Sequence, residues 1–361
     1  MRRSLVVFLL LAVPCALRAQ QPAPQPAQEA AQPAARPKIG IALEGGGALG
    51  LAHIGVLEWL EQHHIPVDYV AGTSMGGLVG GFYASGKSPA ELRKLVAELD
   101  WDATFGGDIP YSEISFRRKE DQRAFPNALL LRLRSGVTLP AGLNTGQQIG
   151  LLIEKETLPY SNVKDFDALP IPFRCVATDL VSGKQVTFRD GPLAEALRAT
   201  ISLPGVFNPV RLGEHVYVDG GLLDNLPTDA ARQMGADIVI AVHLQKKKPD
   251  AESIPSLIEV LDRSIDVVLN ENELRGLANA DLVISVDLAG YTSSEYKRHE
   301  AIIAQGLEAA QEKSRLLAPY ALDDAAWAEY LRERAARERH TVPVPQFVEV
   351  HGADADTKKN I

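Results

Sequence analysis

The chain has 361 residues, of which 46% are hydrophobic and 23% charged, with a formal net charge of −9. This globular balance excludes fibrous, disordered and membrane-embedded classes, and the length fits one large domain or two modest ones. The acidic excess argues against binding to nucleic-acid phosphates or docking of a polybasic patch on anionic lipid, both of which need a positive field. Two cysteines, Cys15 and Cys175, are too few for a disulfide framework or a cysteine-based metal site.

The first residues have the layout of a secretory signal. Arg2 and Arg3 precede the apolar run Leu5 to Val13, and small residues lead to Ala19. The run is shorter than the roughly 20 apolar residues a bilayer span requires. Residues 1–19 are therefore expected to be a signal peptide, with export of the mature chain to the periplasm, the outer membrane or the medium. Cys15 follows Ala12-Val13-Pro14, a poor lipoprotein context. Residues 20–37 are mostly Gln, Pro and Ala, which bury too little apolar surface to offset ordering entropy, so a tether is expected.

From Lys38 the periodicity changes. Lys38 to Leu43 reads as a strand, followed by glycines and then by Leu51, Ile54, Leu57 and Leu60 at helical spacing. Pro66 to Ala71 reads as a second strand leading into a small-residue helix ending near Gly86. Two successive strand–helix units imply right-handed crossovers and a parallel sheet. Further strands are expected at Phe173 to Thr178, Val186 to Phe188, Val216 to Val218, Asp237 to Leu244 and Leu282 to Val286. Helices are expected near 88–99, 145–157, 192–199, 228–234, 256–277, 297–317 and 324–339. Residues 101–144 fit no clean period and read as a loop-rich insertion. Pro343-Val344-Pro345 ends the last helical stretch, and Gln346 to Val350 alternates like a single strand. The expected class is α/β, with a catalytic domain over 38–320, a charged helix over 321–342 and a tail over 343–361. No internal repeat and no transmembrane helix after the signal are expected.

Three constellations bear on chemistry. Gly72-Thr73-Ser74-Met75-Gly76 has the Gly-x-Ser-x-Gly form at a strand–helix junction, where a strained turn lifts a serine toward substrate and a helix N-terminus faces developing negative charge. Gly45, Gly46 and Gly47 follow the first strand, and with Gly50 they also satisfy Gly-x-Gly-x-x-Gly. A dinucleotide loop would need an acidic residue at the end of the second strand; Asp68 lies at its beginning, so bare amides forming an oxyanion hole are the better reading, with a plain tight turn as the alternative. Asp219-Gly220-Gly221 follows a strand, which by itself is most often only a turn. The eight histidines, His53 and His243 among them, carry no recognisable catalytic signature.

On these residues the chain resembles the patatin-like phospholipase family. Gly45 to Gly50 looks like the family's anion loop, Gly72 to Gly76 its nucleophile elbow, and Asp219-Gly220-Gly221 its base motif. Ser202-Leu203-Pro204-Gly205-Val206-Phe207-Asn208-Pro209 is similar to the segment preceding that motif. The motif core spans 38–245. The resemblance implies a three-layer α/β/α fold with a mainly parallel central sheet, a Ser74–Asp219 dyad without histidine, and hydrolysis of acyl esters of phospholipids or related lipids at a transiently contacted membrane surface, with no cofactor and no metal. The loop departs from the family pattern in carrying Leu49 where Arg or Lys is frequent. Some exported bacterial members continue into a polypeptide-transport-associated domain and a barrel. Gln346 to Val350 looks like the start of such a domain, but no barrel strands follow, so passage through a pore of its own is not expected.

A buried Asp219 would be a stronger base than usual. Leu203, Val206 and Phe207 are candidates for an acyl groove, with core packing the simpler account of each. Two other readings stay open: a Ser–His–Asp hydrolase using His243, which follows Asp219 in chain order, and a lipid-binding module without turnover. Headgroup, chain length and oligomeric state are not encoded in any motif.

Overall fold

A computed structural model describes residues 36–106, 142–246 and 257–344. The expected signal and most of the tether, the middle of the insertion, and the Gln346 to Val350 strand lie outside the described residues.

The elements alternate as the periodicity demands. Strand β1 (Ile39–Leu43) leads through a 3-10 turn (Gly47–Leu51) into α1 (Ala52–Gln62), and β2 (Tyr69–Thr73) leads directly into α2 (Met75–Ala84). Ser88 caps α3 (Pro89–Glu98) by accepting the Glu91 N–H while the Glu91 carboxylate reaches back, with Pro89 at the first helical position. The supposed insertion opens as a helix, α4 (Trp101–Gly106), and closes as a short strand, β3 (Gly142–Asn144), before α5 (Gln147–Thr157). The strands β4 (Phe173–Asp179) and β5 (Lys184–Phe188), then α6 (Leu193–Thr200), precede two three-residue strands, β6 (Gly205–Phe207) and β7 (Val210–Leu212). Those last two are too short to show a period in the sequence.

The remainder comprises β8 (His215–Asp219), α7 (Thr228–Gln233), β9 (Ile238–Gln245), α8 (Leu257–Ala278), β10 (Leu282–Asp287), α9 (His299–Glu312) and α10 (Asp324–Ala336). The helix expected over 297–317 is divided: a 3-10 turn (Tyr296–Arg298) precedes α9, and a four-residue helix (Ser314–Leu317) follows it.

The main sheet runs β10-β9-β1-β2-β4-β8-β7, with β5 also paired to β4. The pairings from β10 to β4 are parallel, and those of β8, β7 and β5 are antiparallel. Side chains divide by alternation. Ile39, Ile41 and Leu43 of β1, Val70 of β2 and Ile240 and Val242 of β9 join the large core beneath α1, α2 and α9. Ala42, Ala71, Val239 and Ala241 face the opposite layer, where Leu226, Ala230 and Ala231 cover them. The result is a three-layer α/β/α fold.

Small residues bring α1 and α9 into backbone contact. A Cβ on Gly55 would lie 1.9 Å from the Ile303 carbonyl, and one on Gly306 would lie 1.9 Å from the Ala52 carbonyl. This crossing fixes the helix that emerges from the glycine loop.

Candidate active site

The decisive placement comes from one edge of β4. Strand β2 runs parallel to it and ends with Thr73 opposite Val176, whereas β8 runs antiparallel and ends with Asp219 opposite the next residue, Ala177. The other edge is occupied by β5 over Cys175 to Asp179. The carboxyl ends of β2 and β8 therefore meet head to head, and Ser74 and Asp219 leave the sheet from that junction.

Ser74 sits in the left-handed half of backbone space, φ 54°, ψ −126°. For a residue with a Cβ this strain costs about 1–3 kcal/mol. The surroundings hold it there. The Ser74 N–H donates to the Thr200 hydroxyl at 3.0 Å, Thr200 donates to the Val176 carbonyl at 2.5 Å, and the Thr73 hydroxyl donates to the Asp224 carbonyl at 2.8 Å. Gly72 and Gly76 are required by contact: a Cβ on Gly72 would fall 2.4 Å from the Gly76 carbonyl, and one on Gly76 2.3 Å from that of Leu43.

Asp219 is 3% exposed. Its N–H donates to the Ser202 carbonyl, its Oδ1 accepts the Gly221 N–H at 2.9 Å, and its Oδ2 is buried without an aligned donor among the described residues. Burial raises its pKa to about 6, against the lowering influence of the neighbouring Ser74 hydroxyl and the Gly221 amide. The hydroxyl is thus close to the carboxyl without being aligned on Oδ2, a looseness common before substrate is bound. Gly220 packs its backbone on Val176, where a Cβ would lie 2.3 Å from the carbonyl.

The glycine loop lies against the nucleophile, since a Cβ on Gly45 would be 3.0 Å from that of Ser74. Its donors are not equivalent. The Gly45 N–H is committed to the Asn225 carbonyl at 3.1 Å, so Gly45 shapes the loop and does not present a free amide. Gly47, at φ +58°, approaches Ser293, whose carbonyl accepts the Ala48 N–H. The other two amides of the expected oxyanion hole are those of Gly46 and Gly47, and Met75 begins α2 directly after Ser74. Leu49, where a cation was the alternative, is 2% exposed and packs into the core.

Sequence reasoning missed the group that ties the motifs together. Asn225 donates to the buried Glu44 carboxylate at 3.0 Å and to the Gly45 carbonyl at 3.2 Å, and its side-chain oxygen lies within 2.9 Å of where a Cβ on Gly221 would stand. Glu44 also accepts the Leu244 N–H at 2.6 Å and faces the His243 ring at 2.9 Å, with Glu273 3.1 Å from the same His243 Nδ1. These three side chains place one ligand atom each within 4.8 Å of one another, the one arrangement among the described residues that could hold a cation. The His243 Nδ1 hydrogen is bonded to Glu44 Oε2. Burial, followed by the Glu44 charge, raises the Glu273 pKa to about 7. His243 Nδ1 is turned to these carboxylates, which is a different arrangement from a ring bridging Ser74 and Asp219. His53 donates Nε2 to the Glu44 carbonyl at 2.7 Å, and burial lowers its pKa to about 4, leaving it neutral at ordinary pH.

The acyl-groove candidates divide. Phe207 is buried in the core under the Arg198 guanidinium, 4.9 Å from its ring centre, while Val206 is exposed and Leu203 half-buried.

A family model described as patatin-like phospholipase matches residues 41–232, more than half of the chain and all of the motifs above. The chain belongs to the patatin-like phospholipase family. An uncharacterized NTE family protein of Mycobacterium bovis is 33% identical over 207 residues, covering 57% of this chain and 49% of that protein. Patatin-like phospholipase domain-containing protein 6 of Mus musculus is 32% identical over 208 residues, 56% of this chain and 13% of that protein. The chain thus spans about half the length of the mycobacterial relative and far less of the mouse one. Among solved structures, VipD from Legionella pneumophila aligns at TM-score 0.40 and 14% identity, covering 84% of this chain and 74% of its own. Type III effector ExoU aligns at 0.39 and 19%, covering 83% and 62%. Family membership supports lipid hydrolase activity.

Proposed function

We propose that this patatin-like protein is an exported carboxylic ester hydrolase acting on phospholipids or lysophospholipids through a Ser74–Asp219 dyad. The observation that supports this reading is the head-to-head meeting of β2 and β8, from which a strained serine and a buried carboxylate with one oxygen, Oδ2, lacking an aligned donor among the described residues both emerge.

Ser74 Oγ attacks the ester carbonyl while its proton passes to Asp219 Oδ2. The carbonyl oxygen becomes an oxyanion facing the Gly46 and Gly47 amides and the N-terminus of α2, and each such donor is worth about 2.7–4 kcal/mol in the transition state. Collapse breaks the bond to the alcohol, which takes the proton from Asp219 and leaves as lysolipid or glycerol derivative. Water then gives a proton to Asp219 and attacks the acyl-enzyme, and return of that proton to Ser74 releases the fatty acid. A carboxyl titrating near 6 is charged, and so competent as base, at neutral pH. The Ser–His–Asp alternative gains nothing from His243, which is held by Glu44 and Glu273.

The test is mass spectrometry of lipid products from mixed phospholipid vesicles. Wild-type protein is expected to release fatty acid and lysolipid, and Ser74→Ala protein to release neither. Binding to vesicles with no product from either protein would instead favour the lipid-binding module.

A further inference from the structure

We infer that the tip of the β4–β5 hairpin inserts Leu180 and Val181 into the surface of a phospholipid bilayer and so holds the Ser74 edge of the sheet against it. This deepens the hydrolase reading and rests on it. Exposed turns ordinarily carry polar side chains. In this one the polar groups close on one another instead: the Asp179 carboxylate accepts the Val181 N–H at 3.1 Å, the Ser182 N–H at 3.3 Å and the Ser182 hydroxyl at 2.6 Å, and the Asp179 carbonyl accepts the Gly183 N–H at 2.8 Å. The turn is fixed without help from the Leu180 and Val181 side chains, and these residues stand 53% and 65% exposed. The apolar patch extends to Leu223, also exposed, whose neighbour Asp224 accepts the Gln185 amide of β5 at 2.7 Å.

The tip stands on the catalytic side of the sheet. Strands β2 and β4 are parallel, and Thr73, the residue before Ser74, lies opposite Val176. Strand β4 continues three residues past that level, to Asp179, before it turns. At about 3.3 Å per residue the tip overhangs the nucleophile by roughly 10 Å, in the direction in which β2 delivers Ser74. The polar layer on each face of a bilayer is roughly 5–7 Å deep. An overhang of that size crosses it, so the tip reaches hydrocarbon while the sheet stays in water. The flanks of the tip fit the layer it would cross. Lys184 opens β5 directly after the turn, and the Leu180 N–H donates to the carbonyl of Val216, which stands opposite Arg211 in the β7–β8 pair. Both cations are exposed, and neither is paired with a carboxylate among the described residues. Phosphates of the headgroups would answer these charges, whereas a second copy of the chain would bring like charges together across the same patch. With a net charge of −9 the chain as a whole is not drawn to anionic lipid, so attachment falls to the apolar tip.

The test measures co-sedimentation with phosphatidylcholine vesicles on the Ser74→Ala background, where no turnover disturbs the membrane. Full burial of one such side chain in hydrocarbon corresponds to roughly a tenfold to hundredfold gain in partition. Changing both, Leu180→Ser with Val181→Ser, should weaken partition at least tenfold. Binding by the Ser74→Ala parent should survive 1 M salt, which shortens electrostatic reach to about 3 Å. With Ser74 in place, the same double change should lower hydrolysis of vesicle phosphatidylcholine at least tenfold, while kcat/KM for water-soluble p-nitrophenyl acetate stays within twofold of wild type. Equal partition with and without the tip residues, or binding abolished by salt, would overturn the inference. So would loss of self-association in the double variant with vesicle binding unchanged, which would make the tip a contact between copies. Tip-dependent partition with no lipid product from the wild-type protein would instead count against the hydrolase reading and for the membrane contact.

Discussion

Replacing Asp219 by Asn is expected to lower kcat/KM by about 10^2–10^4-fold, the usual contribution of a positioned general base, while leaving the fold intact. The same substitution should alter the pH dependence of stability. The carboxyl titrates near 6 in the folded protein against 3.8 ordinarily, chiefly because burial penalises its charge. Between those two values the folded state holds a proton that the unfolded state has lost, so the carboxyl's contribution falls as pH rises and its full cost is reached above about 6. The shift corresponds to on the order of 3 kcal/mol. Urea unfolding from pH 4 to pH 8 should show the wild-type protein losing about that much relative to Asp219→Asn, whatever constant offset the buried amide introduces. In parallel, the wild-type rate profile should have an acid limb near pH 6. Parallel stability curves, or near-wild-type turnover by the Asn variant, would show that Asp219 is an ordinary turn residue.

The second large effect is structural. Gly55→Ala and Gly306→Ala each place a methyl group 1.9 Å from a carbonyl oxygen of the facing helix, Ile303 in one case and Ala52 in the other. No rotamer of alanine relieves this, so α1 and α9 must separate. Each change should cost at least about 3 kcal/mol, the upper part of the range for overpacking. Because both act on one crossing, the second substitution should cost much less once the first has parted the helices. Activity should fall with stability, since α1 continues the glycine loop and a displaced loop misdirects its amides. A loss below 1 kcal/mol in either single variant, measured by urea unfolding, would mean that the crossing is not tight.

The chemistry was easier to read than its support. Ser74, Asp219 and the glycines of the three motifs carry signals in residue type and local order, and the strands that present them are buried apolar runs with plain periodicity. Distance across the fold is different. That β2 and β8 abut on one edge of β4 depends on pairing, which no local pattern encodes. Thr200, Ser293 and Asn225 act through one hydroxyl, one carbonyl and one amide, and such single groups look like ordinary loop or helix-end residues until the backbone is folded around them. Asn225, six residues after Asp219, was within sight of the base motif, and the buried Glu44 beside the glycines was a second clue. Glu273, from α8, could not have been joined to them without coordinates. The short strands β6 and β7 fell below the length at which alternation is visible, and the helix α4 was concealed by an aperiodic stretch that begins with Trp101.

The site also shows local strain offset by close packing. Ser74 adopts a backbone conformation unfavourable for serine, and the glycines at 72 and 76 allow β2, α2 and the end of β1 to approach within distances no side chain would tolerate. Strain of this type keeps the hydroxyl presented at the surface of the sheet, so substrate binding need not supply the energy to place it.

The most direct test of the central claim is peptide mapping of the protein after reaction with a fluorophosphonate. The adduct is expected on Ser74 alone, formed faster as the pH rises through about 6 and absent from Ser74→Ala. Modification of a different serine, or equal labelling of the Ser74→Ala protein, would contradict the account.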